Sequence, residues 1–531
     1  MNRRGVRAQI RFRVGARGMN IETARSEFQP TLPLAISQIT IAADSPVPIY
    51  EQICRALRMA ISAGELPIGT LLPTSRELAQ ALSVGRNTVV SAYSRLVAEG
   101  FVVSKFRRGT RVAAPLQAAS QAPVFHASHC EASADGDIAD PLPDIGFAGQ
   151  RALDAPDLSE TAALFGINAP DNTLHPRGVL QKLIADAFGR THFGSSDTQS
   201  DWRRYQAAVS SHFRQARGVR CEPEQVIPVA GVCAALDLTA RLLLDPGHAV
   251  LVEDPAPDEV RAAFQSAGAR LFPLPSDMSG ADPSKTKSPP PRLIYVSPSV
   301  GFASGVQMTA MRRTAVLQSA RDCAGAIFEF DGYAELLYTG SRLAAIQAQD
   351  DEGRVLYYVS FKNTLGPHMR VGALIVPPHL SDAFARMSRH AGCAPECFIL
   401  AAIAEFVETG QYAMHVKKIR AAYAQRLKMV VDACQAHLPE AVIGEPRGGV
   451  HLTLTFPAHI SAQHVTATAV EHGLAVAPLS RFSLRRQPPN VLVLGFGAMP
   501  DRLIEPNIRR LAHLAREKVH QSHDRRDDAG N

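Results

Sequence analysis

The stretch PTSRELAQALSVGRNTVVSAYSRLVAEG, residues 73–100, contains two short amphipathic segments separated by a few polar residues. Thr74 followed three residues later by Glu77 is the pattern of a capping box at the start of a helix. The second segment repeats apolar residues at helical spacing, namely Val89, Ala92, Tyr93 and Leu96. Two helices joined by a tight turn at residues 83–85 predict a helix-turn-helix.

The residues after this helix pair form two short alternating runs around a basic turn. FVVSKFRRGTRVA, residues 101–113, predicts a β-hairpin whose tip carries Arg107, Arg108 and Gly109. Together, residues 46–113 predict a winged helix-turn-helix. In such a domain the first residues of the second helix meet base edges, and arginines meet phosphates. The basic tip and the polar start of the second helix therefore favour DNA binding over a helix pair whose charges are simply solvated.

Composition limits the other classes of protein. The net charge of +6 is small for 531 residues, so only its distribution can indicate a nucleic-acid partner. Residues 1–45 begin with an arginine-rich, acid-free stretch, which could be an arm that contacts DNA; the favoured prediction is a disordered basic segment. No apolar run reaches the roughly 18 residues of a membrane span, and no secretory signal is evident, so we expect a cytoplasmic protein. The eight cysteines lack the two-pair spacing of a zinc site, and no metal is expected.

The chain changes character after the hairpin. Residues 114–160 are rich in Ala, Pro, Ser and Asp without helical or strand periodicity, which predicts a linker. Residues 161–518 alternate helical patterns with short apolar runs such as HAVLVED and RLIYVSP, as in an α/β fold with a parallel-rich sheet covered by helices. GGVHLTLTFP and NVLVLGFG predict a small C-terminal α+β lobe, and residues 519–531 predict a disordered tail.

Taken together, these motifs resemble the MocR subgroup of the GntR family of transcriptional regulators. The strings that carry the resemblance are PIYEQI, LPTSRELAQAL and GRNTVVSAY in the first domain, and FGINAPDNTLHP and TLGPHMRVGALIVPP in the second. The resemblance implies a winged helix-turn-helix linked to a type I aminotransferase-like domain, acting on double-stranded DNA as a homodimer.

The resemblance also implies which residues of the first domain contact DNA. They are Arg76 and Arg86, with Asn87 and Thr88 beside them, and the wing near Gly109. The family wing usually has glycine where Arg107 stands, so this tip is more basic than usual.

The cofactor positions of the second domain depart from the family pattern. The family's lysine, which forms an imine with pyridoxal phosphate, stands seven residues before an arginine, and the ungapped match to Arg370 places Asn363 there. An amide nitrogen cannot attack an aldehyde, which excludes an imine at Asn363. Lys362 is the adjacent amine, but neighbours in an extended chain point to opposite sides. We therefore expect no covalently bound cofactor, with noncovalent capture of an anion by Arg370 left open.

Two interpretations remain for the residues that meet the cofactor ring. Asp331 and Tyr333 keep the Asp-x-Tyr spacing that in the family contacts the pyridine nitrogen and the ring oxygen. An ungapped count instead puts Phe330 and Gly332 at these positions.

Positions that provide polar donors in the family have become apolar or small. Val232 and Cys233 replace donors at the start of the phosphate-binding helix, and Val300 and Gly301 stand in place of His and Gln. Either the pocket has been rebuilt for another ligand or it is a scaffold.

These observations leave three functions. The favoured one is a DNA-binding transcriptional regulator, not an enzyme, whose aminotransferase-like domain dimerises and senses a small-molecule effector without turnover. The alternative is a pyridoxal phosphate-dependent aminotransferase, or a regulator responsive to that cofactor, that uses Lys362. The missing lysine argues against it, because that lysine is both anchor and proton carrier in transamination. The third is a second domain that serves dimerisation alone.

Overall fold

The computed structural model describes residues 36, 39–42, 45, 47–105, 109–113, 165–167, 169–190, 198–340 and 343–527, with residues 105, 198 and 517–527 described by their backbone alone. The predicted linker and most of the predicted basic segment lie outside these residues. The chain divides at residue 137 into two compact units. No helix in the described part of the chain is long and apolar enough to cross a membrane.

The first unit is the predicted winged helix-turn-helix. Its described elements are α1 (Ile49–Ser62), α2 (Ser75–Ala81), α3 (Arg86–Ala98), β1 (Val102–Lys105) and β2 (Gly109–Val112). The two strands pair antiparallel with Val102 opposite Val112. The hairpin predicted from alternation is confirmed, with its bounds shifted by about one residue.

Local side-chain contacts explain why the helix pair forms here. The Thr74 amide donates to Glu77 Oε2 at 2.8 Å and the Glu77 amide to Thr74 Oγ1 at 3.3 Å, which is the predicted capping box. The Tyr93 hydroxyl donates to the Pro73 carbonyl at 2.8 Å and joins the middle of α3 to the residues just before α2. The predicted stripe is buried and packs with residues of α1; the shared core includes Ile53, Leu57, Val89, Ala92 and Leu96.

The second unit is built on one eight-stranded sheet. Its strands are β3 (Val226–Val229), β4 (Ala249–Asp254), β5 (Arg270–Asp277), β6 (Gly280–Ala281), β7 (Leu293–Val296), β8 (Ala326–Phe330), β9 (Val355–Ser360) and β10 (Gly372–Ile375). The order is β3-β10-β9-β8-β7-β4-β5-β6. Strands β9, β8, β7, β4 and β5 are parallel to their neighbours in that run, whereas β10 is antiparallel to both β9 and β3. This is the predicted parallel-rich sheet.

Helices accompany these strands in the order expected of an α/β domain. They are α4 (Arg177–Arg190), α5 (Thr198–Arg217), α6 (Val232–Leu243), α7 (Asp258–Ser266), α8 (Ala310–Asp322), α9 (Lys362–Leu365), α10 (Ser381–His390), α11 (Cys397–Glu408) and α12 (Gln411–His437). Strands β3, β4 and β7 are buried along their whole length, which explains their continuous apolar runs.

The predicted C-terminal lobe is a four-stranded antiparallel sheet with two helices. Its elements are β11 (Val442–Ile443), β12 (His451–Thr455), α13 (Ala462–Glu471), β13 (Ala477–Pro478), β14 (Val491–Gly495) and α14 (Asp501–Asp527). Helix α14 differs from the sequence prediction, because it continues past residue 519, where a disordered tail was expected. After Pro506 the next helix breaker is Gly530, and Arg, Glu, Lys and Gln are good helix formers.

Three chain segments leave the sheet at the same end of its parallel strands. Strands β3, β8 and β9 run in the same direction, so their carboxyl ends lie together. Strand β3 leads through Gly231 into α6, β8 leads to Asp331, and β9 leads to the short helix α9. Ligand sites of open α/β sheets are found at the carboxyl ends of the strands.

Candidate functional site

The start of α3 presents polar side chains to solvent. Arg86 is its first residue and follows Gly85, which caps the helix without a side chain. Arg86 and Asn87 are exposed and Thr88 is half-buried. The first turn holds no acidic residue, so nothing on the helix itself offsets the positive end of its dipole. An anion, such as a phosphate group, is stabilised at such a terminus.

Arg58 and Arg95 of the first unit pair with acidic side chains. Arg58 Nη2 lies 2.8 Å from Glu99 Oε2, and Arg95 lies 3.1 Å from Glu51 and 3.0 Å from Glu99. Hydrogen bonds from Arg58 and Arg95 lower the pKa of Glu99. These two cations are thus neutralised within the unit.

Arg76 and Arg86 differ from Arg58 and Arg95. Both are exposed, and neither pairs with an acid among the residues that the structure describes. Arg86 Nε lies 3.5 Å from Ser75 Oγ, which is at most a weak hydrogen bond. The structure therefore places two arginines without an acidic partner among the described residues at the start of the two helices, where the sequence predicted DNA contacts.

The wing is described on both sides of its tip. Gly109 has a φ of 78°, and a Cβ at this position would lie 2.7 Å from Leu71 Cδ1, so both backbone conformation and space favour glycine. Arg107 and Arg108 lie outside the described residues. Arg111 Nη1 donates to the Gly69 carbonyl at 2.8 Å and ties β2 to the loop before α2.

In the second unit, Asn363 is buried just after the carboxyl end of strand β9. It is the second residue of α9 and is 4% exposed. Its Nδ2 donates to the Gly332 carbonyl at 3.2 Å, and its Oδ1 has no hydrogen-bond partner in the described part of the chain. Lys362 is half-buried.

The prediction of an extended chain at these residues was wrong, because Lys362 and Asn363 belong to a turn of helix. Successive helical residues differ by about 100° in direction, so the two side chains still diverge. Helical geometry, and not an extended strand, therefore directs the Lys362 side chain away from that of Asn363.

Lys362 and Arg370 lie near the N-terminus of α6. Burial raises the pKa of the Cys233 thiol, and the charges of Lys362 and Arg370 oppose that rise. The electrostatic effect of both cations on the thiol indicates that they lie near Cys233, which is exposed and is the second residue of α6. Gly231 caps α6 without a side-chain hydrogen bond. This end of the site retains cationic groups beside a helix N-terminus.

Asp331 takes part in a buried ion pair. Arg217 Nε donates to its Oδ2 at 2.8 Å, and the Tyr357 hydroxyl donates to the same oxygen at 2.6 Å. Burial opposes ionisation, but Arg217 keeps the pKa of Asp331 below its usual range. Arg217 also donates to Ser299 Oγ at 2.6 Å and to the Leu343 carbonyl at 2.7 Å. Sequence reasoning missed Arg217, whose position at the end of α5 in the string RGV was the only available signal.

Phe330 and Tyr333 belong to an aromatic group. The Phe330 ring centroid lies 5.7 Å from that of Tyr358 in a stacked arrangement and 6.1 Å from that of Tyr333. The Tyr333 ring is 5.7 Å from that of His451. Asp331 and Tyr333, predicted as a surviving pair, therefore have different neighbours.

Val300 and Gly301, which stand where the family has polar residues, take part in packing and in a backbone hydrogen bond. Val300 is 3% exposed and belongs to an apolar cluster with Tyr333 and Leu336. The Gly301 amide donates to the Val306 carbonyl at 2.8 Å. Within the described residues no group of three or more His, Cys, Asp or Glu side chains is arranged to hold a metal ion.

Two family profiles match this chain. Residues 49–112 match the bacterial regulatory proteins of the gntR family, and residues 164–511 match aminotransferase class I and II. The solved α-aminoadipate aminotransferase LysN from Thermus thermophilus shares the fold of the second unit, with a TM-score of 0.60 and 22% identity over 68% of this chain and 93% of its own.

Curated relatives match along almost the whole chain. The probable rhizopine catabolism regulatory protein MocR of Rhizobium meliloti is 33% identical over 89% of this chain and 95% of its own length. The HTH-type pyridoxine biosynthesis transcriptional regulator PdxR of Corynebacterium glutamicum is 26% identical over 88% and 95%. The chain belongs to the MocR subgroup of the GntR family, in which a gntR-type helix-turn-helix domain is joined to an aminotransferase class I and II domain.

Proposed function

We propose that this protein is a DNA-binding transcriptional regulator. The observation that carries the proposal is a pair of exposed arginines, Arg76 and Arg86, which lie at the start of the two helices and have no acidic partner among the described residues. Relatives that match along nearly the whole chain are named as regulators of catabolic or biosynthetic genes, which supports the same function. Its target would be chromosomal DNA, so we place the protein in the cytoplasm.

The proposed contacts follow from the position of each side chain. Arg86, Asn87 and Thr88 occupy the first turn of α3, the part of a recognition helix that meets base edges. Arg76 lies in the first turn of α2, from which it would contact a phosphate. Gly109 begins β2, directly after the tip of the wing.

The first test is selection of bound sequences from a pool of random duplexes by the purified full chain. We expect enrichment of two related half-sites, because one helix and one wing cover little sequence and the proposed regulator is a homodimer. A pool that stays random after several rounds would contradict sequence-specific binding.

The wing tip gives a separate expected result. Replacing Arg107 and Arg108 with Ala should reduce the slope of log affinity against log salt by about one unit for each phosphate that the tip no longer neutralises. The measurement is a fluorescence anisotropy titration of one selected duplex at several salt concentrations. A slope equal to that of the unaltered protein would mean that the tip does not touch the DNA backbone.

The second unit is proposed to dimerise and to sense a small-molecule effector without turnover. The fold relative LysN was solved with N-(5'-phosphopyridoxyl)-L-leucine, which makes pyridoxal phosphate the first ligand to test on the second unit. We propose that no imine forms here, because Asn363 lacks an amine. The cations Lys362 and Arg370 beside α6 leave room for noncovalent capture of an anion.

The competing function is an aminotransferase, or a regulator responsive to pyridoxal phosphate, that uses Lys362. The position of Lys362 beside the α6 terminus is the observation in its favour. The two functions differ in one result: pyridoxal phosphate followed by borohydride should leave no pyridoxyl group on Lys362 of the natural protein. Peptide mass mapping measures this, and an adduct on Lys362 would establish the competing function.

A further inference from the structure

Three of the altered cofactor positions lie in contact with one another. Asn363, at the lysine position, donates its Nδ2 to the carbonyl of Gly332. The Phe330 ring lies against the same glycine, since a Cβ added to Gly332 would be 2.5 Å from Phe330 Cζ. The three replacements therefore form one connected arrangement of side chain, backbone and ring.

Gly332 is needed for space and not for backbone conformation. Its φ lies outside the left-handed region, so an alanine would be acceptable to the backbone. The same Cβ would also lie 3.1 and 3.2 Å from the two Cε atoms of Phe330, which means that the end of the ring covers the glycine. Glycine at 332 and phenylalanine at 330 are thus matched to each other.

The acid that could serve a pyridine ring is already held through Oδ2 by Arg217 and Tyr357, whereas its Oδ1 has no hydrogen-bond partner in the described part of the chain. Phe330 and Asp331 are consecutive, and Asp331 is buried with Arg217 and Tyr357. The groups around Phe330 are the aromatic rings of Tyr295, Tyr333 and Tyr358. The ungapped count, which puts Phe330 and Gly332 at the ring-binding positions, agrees with these contacts. These residues do not fit pyridoxal phosphate, although the cationic end near Arg370 does.

We propose that Phe330 is an internal plug of the cofactor-ring site, seated on Gly332 and closed by the Asn363 hydrogen bond. The loss of the lysine is then one of three coupled changes. A lysine restored at position 363 would leave the Phe330 ring seated on Gly332, so the ring site would stay filled. This inference rests on the proposed absence of an imine and gives its structural cause.

The test compares pyridoxal phosphate binding by full-length variants. Asn363→Lys alone should form no more imine than the natural protein. Phe330→Ala combined with Asn363→Lys should form at least about tenfold more at the same pyridoxal phosphate concentration. Phe330→Leu with Asn363→Lys is the matched control, which keeps the bulk of the plug and should behave like Asn363→Lys. Imine absorbance and peptide mass mapping after borohydride measure all four proteins.

The outcomes separate this inference from the proposed function. An adduct at position 363 in Asn363→Lys alone would overturn the plug, because the ring site would then be open with Phe330 in place. No adduct in the Phe330→Ala double variant would also overturn it, because the obstacle would lie elsewhere. An adduct on Lys362 of the natural protein would instead refute the proposed function of the second unit.

A thermal measurement tests the plug without any ligand. Gly332→Ala should lower Tm by a few degrees in the natural background, because the added methyl must displace the ring. In the Phe330→Ala background the same change should cost much less, since the space is open. Equal decreases in Tm in the two backgrounds would contradict the proposed packing of the ring on Gly332.

Discussion

Asp331→Ala is expected to lower the free energy of unfolding of the second unit by about 3–5 kcal/mol. The substitution leaves the guanidinium of Arg217, whose side chain is 4% exposed, without its buried counter-ion. An uncompensated buried charge is far more costly than a broken ion pair at the surface. Urea unfolding followed by the fluorescence of Trp202, the single tryptophan and a residue of the second unit, measures the change.

The matched control is Asp351→Ala, which breaks the ion pair with Arg220. These side chains lie 3.2 Å apart but are 67% exposed for Arg220 and 74% for Asp351. An exposed pair contributes about 0–1 kcal/mol, so this variant should unfold close to the natural protein. A decrease for Asp331→Ala no larger than for Asp351→Ala would mean that Asp331 does not stabilise the fold and is available for a ligand.

Arg86→Ala is expected to weaken binding to a selected duplex by about 1–3 kcal/mol, because the shortened side chain would no longer reach a base edge. Arg86 is the first residue of α3, is exposed, and has no acid beside it among the described residues. Fluorescence anisotropy against the selected duplex and a scrambled one measures both affinity and specificity. The expected decrease in affinity is larger for the selected duplex.

Arg95→Ala on the same helix is the control for Arg86→Ala. It removes an equal charge, but Arg95 is already neutralised by Glu51 and Glu99. Its affinity for the duplex should stay near that of the natural protein, provided that the variant's Tm shows an intact fold. Equal decreases for the two variants would mean that Arg86 acts through net charge and not by reaching a base.

The first unit was predictable because its signals are local. The Thr74–Glu77 capping box and the apolar stripe of α3 each lie within a few residues of sequence. Hairpin alternation and the basic tip are equally short-range. One feature of the first unit was not predictable from local sequence: Arg95 is neutralised by Glu51, which belongs to another helix.

The ligand site of the second unit was less predictable. Counting back from Arg370 identified Asn363 as the residue at the lysine position, and in the structure Asn363 lies in the short helix that follows strand β9. The ion pair of Asp331 was not predictable, because its partner Arg217 lies 114 residues earlier in the chain and is not identified by any local pattern. The matched pair Phe330 and Gly332 depends on a through-space contact between alternate residues. A four-residue helix such as α9 is too short for periodicity to reveal.

If the first unit directs this protein to specific DNA in cells, that DNA can be recovered by crosslinking. The DNA crosslinked to the natural protein and to Arg86→Ala is mapped in the native host. We predict a small set of intergenic fragments that share a pair of half-sites and are absent or strongly reduced with Arg86→Ala. Fragments spread evenly over the chromosome, or an unchanged set with Arg86→Ala, would contradict specific binding through Arg86.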